Sequence, residues 1–239
     1  MPKRFVQAEW RRLIMANYVI DPAILLPYLP AKTELDYWNN ECYVSLVGFM
    51  FRNVRVRGIR IPFHTDFPEI NLRFYVRYKE KEQWKRGVVF ITEIVPRHAI
   101  TFVANTLFNE RYCTLPMRHA WTDGSTLLKT AYHWKKNKRW NRLEVITGAG
   151  PVSLSMGSME EFITEHFWGY SSGRKKETNE YHVEHPRWDV YKVNEYLVDC
   201  DFAAQYGNQF ACLQSVEPVS VFMAEGSAVN IFSRKVLGS

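Results

Sequence analysis

Between Glu69 and Tyr78 apolar and polar residues alternate without a fault. Ile70, Leu72, Phe74 and Val76 share one face, and Glu69, Asn71, Arg73, Tyr75 and Arg77 share the other. A period of two residues is that of a β-strand, and no other segment of the chain shows it so cleanly. Further strands are predicted over residues 9–18, 33–38 and 41–51, the last two as a hairpin around Asn39-Asn40. Arg52, Asn53, Arg55 and Arg57 alternate around Val54 and Val56, as on a half-exposed strand. Residues 84–95 contain Val88-Val89-Phe90-Ile91, an apolar run typical of a strand covered on both faces.

Asp123-Gly124 turns a hairpin between strands near 118–121 and 126–134, and a strand over 140–147 follows. Strands over 181–184, 188–197, 210–214 and 219–232 complete the set, the last with a break at Gly226. Helical signals are few. Asp21-Pro22 opens a short helix that runs through Leu29 and closes at Pro30, and another covers about 99–109. Ser158-Met-Glu-Glu161 has the form of a capping box, with the Glu reaching back to the Ser amide. Met159, Phe162, Ile163 and Phe167 then form one stripe of a helix over about 159–168. The pattern predicts one α+β domain over residues 1–239, built mainly of antiparallel sheet. Closure into a barrel or cone is the natural way for so many strands to remove exposed edges.

Composition agrees with this pattern. Of 239 residues, 46% are hydrophobic and 23% charged, which excludes a disordered chain. Aromatic residues reach 15%, as suits pleated surfaces. No apolar segment follows the basic start, and the best apolar run, 44–51, is far short of a membrane helix, so no membrane partner is expected. Four scattered cysteines without C-x-x-C read as reduced thiols of a cytoplasmic protein. The net charge of +6 is concentrated in Trp134-Lys-Lys-Asn-Lys-Arg-Trp140 and Arg142. Such a hairpin could grip a nucleic-acid strand or another partner, but the favoured reading is a solvated turn with its tryptophans packed on the sheet.

Motifs for known chemistry are sparse. Gly148-Ala-Gly150-Pro-Val-Ser153 lacks the third glycine and the following helix of a nucleotide loop, so no cofactor is expected. His182-Val-Glu184-His185 lies in a strand-like segment where the two histidines face opposite ways, so no metal is expected. The polar face Glu69-Asn71-Arg73-Tyr75 has two readings. On an open sheet it is solvated; in a closed barrel it lines a charged pocket.

The run Phe67-Pro-Glu-Ile-Asn-Leu-Arg73-Phe-Tyr75-Val resembles the signature of a YqjF-like family, a bacterial domain of unknown function. Trp10, Asp21-Pro22, Leu29-Pro30, Tyr43-Val-Ser-Leu-Val-Gly-Phe49, Met159-Glu-Glu-Phe-Ile-Thr-Glu165 and His185-Pro-Arg-Trp188 extend the resemblance over nearly the whole chain. That family is similar to the acetoacetate decarboxylase-like superfamily. The resemblance implies a closed or cone-shaped β-barrel with two or three flanking helices and a central cavity, and it turns the polar strand face inward. Decarboxylases of that kind use a lysine nucleophile activated by a second lysine, the pair following a proline and an upstream glutamate. Glu110 and Pro116 match, but Met117 and Arg118 stand where the two lysines are expected. A thioether forms no imine, and arginine stays protonated at neutral pH.

The expectation is therefore a barrel that binds a small organic ligand, an anion such as a carboxylate, contacted by Glu69, Arg73, Glu110, Met117 and Arg118. Any reaction would be lyase or hydrolase chemistry without a lysine nucleophile. The rival expectations are a nucleic-acid or partner-binding module at 134–142 and a catalytically vestigial structural barrel. Self-association is left open.

Overall fold

The alternating segments become long strands that pair almost wholly antiparallel. A computed structural model describes residues 3–108, 111–173 and 177–237. The elements are β1 (Arg4–Val19), α1 (Pro22–Leu25), β2 (Glu34–Leu35), β3 (Tyr43–Val56), β4 (Phe67–Glu80), β5 (Gln83–Val95) and α2 (His98–Phe108). Next come β6 (Tyr112–Thr114), β7 (Met117–Asp123), β8 (Leu127–Lys136), β9 (Arg139–Gly148), α3 (Met159–Thr164), β10 (Trp168–Ser172) and β11 (Thr178–Glu184). The last are β12 (Val190–Asp199), α4 (Phe202–Tyr206), β13 (Ser220–Phe232) and β14 (Lys235–Leu237).

The sheet closes on itself. Strands run β11-β10-β5-β4-β3-β1-β13, and β11 returns to β13 through Val183 opposite Ile231 and Glu184 opposite Asn230. From β13 the sheet also continues outward as a wing, β12-β9-β8-β7. Tyr132, Trp134, Leu143 and Val145 of this wing join Ile14, Leu46, Ile70, Leu72 and Phe74 in one buried cluster on the outer face of the ring. A second cluster lines the inside, with Leu13, Met15, Val47, Phe49, Phe51, Phe67, Tyr75 and Trp188. Strand β4 is thus covered on both sides, and its Glu69-Asn71-Arg73 face turns inward. Aromatic edges knit the inner wall: Trp10 meets Phe49 at 5.4 Å and Trp188 at 6.1 Å between ring centroids.

Helix α3 adds Phe162 and Ile163 to the inner cluster. Ser158 Oγ accepts from the Glu161 amide at 3.2 Å, as a cap should. The Glu161 carboxylate, however, accepts from the Gly157 amide at 2.6 Å rather than from Ser158. The helix stops at Thr164, short of the expected 168, because Trp168 is drawn into β10 alongside Gly87 of β5.

Other expectations need correction. Residues 33–38 do not form a hairpin with β3. Strand β2 has only two residues and pairs with β4, while Asn39 and Asn40, at φ +50° and +64°, close a turn held by the Trp38–Glu41 bridge. Past β2 the Asp36 amide still donates to the Tyr75 carbonyl of β4 at 3.0 Å, while its carboxylate accepts from Arg86 and His166. Residues 210–214 belong to a 3-10 helix, Asn208–Gln214, in which Phe210 and Leu213 are both buried. A spacing of three is the period of that helix. Strand β10 and helix α4 were not foreseen; Asp201 caps α4 by accepting from the Ala204 amide at 3.0 Å.

Strand β13 runs through Gly226 without a break. Gly226 sits opposite Arg11 at φ +81°, where an L side chain is strained. An added Cβ would fall on the Trp10 carbonyl oxygen and within 2.7 Å of Leu13 Cδ1. Gly226→Ala should therefore cost about 2–4 kcal/mol of stability in urea unfolding; a loss below about 0.5 kcal/mol would contradict this account of the strand.

Candidate functional site

Inside the ring lies a cavity of about 230 Å³. Its walls are mostly apolar, with Trp10, Phe49, Phe51, Phe67, Phe90 and Trp188 supplying ring surface. The polar lining comes from a few strands. Strand β4 contributes Glu69, Asn71 and Arg73 by its alternation. Strand β5 contributes both Phe90 and Glu93, three residues apart, because an extra residue enters the ladder between the Leu72–Thr92 and Arg73–Phe90 pairs. That bulge re-aims Glu93 to stand opposite Asn71. Strand β6 then lays Tyr112 beside Glu93.

Glu69 is held on both oxygens. Asn71 Nδ2 donates to Oε1 at 3.0 Å, and the Tyr112 hydroxyl donates to Oε2 at 3.2 Å. Burial pushes the Glu69 carboxyl up to about 7, against the hydrogen bonds from Asn71 and Tyr112 and the charge of Arg73, which pull it down. Burial, together with the nearby carboxylates of Glu69 and Glu93, holds the Tyr112 phenol well above its ordinary value. Tyr112 is thus a neutral donor between two acids.

Arg73 is bound only lightly. Its Nη2 donates to the Ile163 carbonyl at 3.3 Å, and its guanidinium lies 5.7 Å from the Tyr75 ring. Among the described residues it makes no ion pair, and its buried Nε has no hydrogen-bond partner. Other arginines on the sheet are paired, such as Arg77 with Glu34 and Arg86 with Asp36.

Three histidines, His64, His166 and His185, complete the lining. His166 faces Asp36 at 3.1 Å, and Asp36 also accepts from Arg86 Nε at 2.7 Å. Burial works against the charge on Asp36, but the hydrogen bonds from His166 and Arg86 outweigh it and keep the carboxyl below its usual value. An ionised carboxylate only accepts, so His166 Nε2 carries the proton. His185 stacks on Trp188 at 4.0 Å and lies 4.8 Å from Phe167. Its Nδ1 is 2.8 Å from the Pro186 carbonyl, which also only accepts. Nδ1 therefore holds the proton, and Nε2 keeps its lone pair. Burial pulls both imidazoles down to about 4.

Of the residues expected at the site, Glu69 and Arg73 come together on the cavity wall. Met117 and Arg118 lie on β7, in the wing. Met117 packs against the outer cluster, and Arg118 is exposed with its guanidinium 4.5 Å above the Trp140 ring. Neither lines the cavity. Glu110 lies outside the described residues. Asn71, Glu93, Tyr112, His166 and His185 were not among the expected contacts. Asn71 was legible from the alternation; Glu93 reaches the cavity only through the bulge. Nothing in the sequence pattern marks Tyr112 or His166.

His182 stacks with Phe232 at 5.5 Å and meets Trp168 at 4.6 Å, and among the described residues no group of three or more His, Cys, Asp and Glu is gathered as a metal site requires. In the basic hairpin, Asn137 and Lys138 turn at positive φ, Trp134 is fully buried, and Arg118 and Lys135 lie over Trp140. Arg139 and Arg142 are paired with Asp199. No helix among the described residues is long and apolar enough to cross a membrane.

A family model for an uncharacterized conserved protein, DUF2071, matches residues 7–228. The uncharacterized protein YqjF of Bacillus subtilis is 28% identical over 178 residues, covering 72% of this chain and 69% of its own. Among solved structures, acetoacetate decarboxylase from Legionella pneumophila superposes with a TM-score of 0.65 at 13% identity, over 100% of this chain and 88% of that one. The enduracididine biosynthesis enzyme MppR, with HEPES bound, gives 0.70 at 8% identity over 100% and 89%; the same enzyme is also known complexed with pyruvate. At such identities the likeness is one of fold.

The Glu69 environment has a stability signature. Its folded value of about 7 lies above the ordinary 4.5, so its contribution is whole below pH 4.5 and is lost as pH rises through 7. Glu69→Gln is neutral throughout. From pH 4.5 to pH 8 the stability difference should move in favour of Glu69→Gln by on the order of 3 kcal/mol. Urea unfolding at the two pH values measures this, and a difference that stays flat would mean that Glu69 ionises normally.

Proposed function

Since the chain belongs to the DUF2071 family and folds as acetoacetate decarboxylases do, we propose that it binds a small organic anion, most simply a carboxylate, inside its β-ring. The observation that carries this reading is Arg73: a guanidinium on the wall of an apolar cavity, with no carboxylate within ion-pair distance among the described residues. Removing a charge from water costs several kcal/mol unless a partner is supplied. A planar anion offers the two-pronged acceptor that a guanidinium fits. Asn71 and Tyr112 hold Glu69 in place nearby, and its carboxyl at about 7 can give or take a proton at neutral pH.

Lysine imine chemistry is not part of this reading. The described lining contains no lysine. Lys85, whose ammonium lies 4.0 Å over the cavity-lining Trp168, pairs with Glu80 at 2.7 Å and Glu180 at 3.0 Å. Burial pulls its pKa down, but these carboxylates outweigh that and hold it above the usual lysine value. An imine needs the free amine. The pyruvate complex of MppR supports a carboxylate as the ligand of such a fold without setting which one binds here. Four free cysteines fit a reducing compartment such as the cytoplasm.

A thermal-shift and calorimetric screen of short aliphatic and aryl carboxylates tests the proposal. A ligand at 100 times its Kd should stabilise the native state by about 2.7 kcal/mol. Arg73→Met should abolish the shift, whereas Arg118→Ala should leave it unchanged. A screen without a hit, or a hit that survives Arg73→Met, overturns the reading. Borohydride treatment with a β-keto acid should leave the protein mass unchanged.

A further inference from the structure

We propose that His185 selects a hydroxyl beside the carboxylate, so that the ligand class is a 2-hydroxy acid rather than a plain, 2-oxo or 2-amino acid. This rests on the carboxylate reading above. The argument begins with the imidazole. His185 lines the cavity, and its Nδ1–H is spent on the Pro186 carbonyl at 2.8 Å. Among the described residues Nε2 has no donor, so the ring offers the cavity a lone pair. The ring is also fixed in place, stacked on Trp188 at 4.0 Å with 17° between planes and flanked by Phe167 at 4.8 Å. A rigid acceptor in an apolar enclosure gains from a donor that arrives already oriented.

Arg73 decides what kind of donor. Burial, aided by the positive charge of Arg73, holds the His185 imidazole in its neutral form against the bond to Pro186. A 2-ammonium group would place a second cation in the same field and is disfavoured. A 2-oxo group would set an acceptor against the Nε2 lone pair. A hydroxyl is neutral, donates to Nε2, and lets the adjoining carboxylate reach Arg73. Trp10, whose ring centre is 6.4 Å from His185, also lines the cavity and holds its indole N–H without an acceptor. It can supply a further hydrogen bond to the carboxylate. A donor-rich side for the carboxylate, Arg73 of β4 with Trp10 of β1, and a lone-pair acceptor for the hydroxyl, His185 at the end of β11, thus face one narrow cavity.

Calorimetry with matched probes tests the proposal: mandelate, phenylacetate, phenylglyoxylate and phenylglycine, and the aliphatic set 2-hydroxyhexanoate, hexanoate, 2-oxohexanoate and 2-aminohexanoate. In at least one set the wild-type protein should bind the hydroxy acid about 10- to 100-fold more tightly than its three counterparts. His185→Phe keeps the aromatic stack and removes Nε2; it should bring hydroxy and plain acids to equal affinity. Arg73→Met should weaken both together. The ¹⁵N resonance of His185 Nε2 in the wild-type protein should move with the hydroxy acid and stay still with the plain one, which keeps the test independent of how well the variant folds. Equal affinities in the wild type, or a preference that survives His185→Phe, would overturn the assignment and leave the carboxylate reading standing. If no probe of either set binds, the carboxylate reading fails with it.

Discussion

Strand β4 is buried on both faces, and the remaining architecture follows from satisfying that constraint. Its outward residues, Ile70, Leu72 and Phe74, need an apolar cover, which the β12-β9-β8-β7 wing provides through Tyr132, Trp134 and Leu143. Its inward residues include an acid, an amide and a guanidinium, which no packed core would accept without partners. The ring resolves this by closing, through the pairing of β11 with β13, around a space rather than around a solid core. The cavity is therefore a consequence of placing Glu69, Asn71 and Arg73 on the inner face of a covered strand.

Within that space the two signs of charge are treated unequally. Glu69 receives two hydrogen bonds and, raised to about 7, can shed its charge by taking a proton. Arg73 has no such escape, since guanidinium remains charged at any relevant pH. A buried acid can adjust to an apolar surrounding by taking a proton, whereas the arginine keeps its charge. This asymmetry makes Arg73 the more informative residue, although Glu69 is the more deeply buried.

The fold was largely legible because a two-residue period survives in strands such as 69–78 and 84–95, whatever covers them. What the pattern could not distinguish was a solvated face from a lumen, because both are polar; the family resemblance supplied that step. Short elements were lost for a related reason. Residues 33–38 look stranded, yet only Glu34 and Leu35 form a strand; the partners of Asp36, Arg86 and His166, are distant in the chain, and a long-range pairing leaves no local mark. Phe210 and Leu213 carry a period of three that a stretch of five residues barely displays. The site was half legible: Glu69 and Arg73 follow from alternation on one strand. Glu93 depends on a bulge, and Tyr112 on a three-residue parallel strand, neither of which sequence spacing announces.

His166 and His185 show why burial alone does not define a functional group. Both line the cavity and both are drawn down to about 4. His166 is tied through Asp36 to Arg86, a chain that joins the β2–β3 connection to β5 and to the segment after α3. Its hydrogen bond does structural work by holding three parts of the chain together. Among the described residues His185 bonds only to the carbonyl of the next residue, which joins nothing that the backbone has not already joined. A hydrogen bond that fixes a tautomer without fastening the fold leaves the far nitrogen as its main consequence. Of His182-Val-Glu184-His185, one histidine thus packs against Phe232, and the other is a stacked ring on the wall of the cavity that Arg73, without an ion pair among the described residues, also lines.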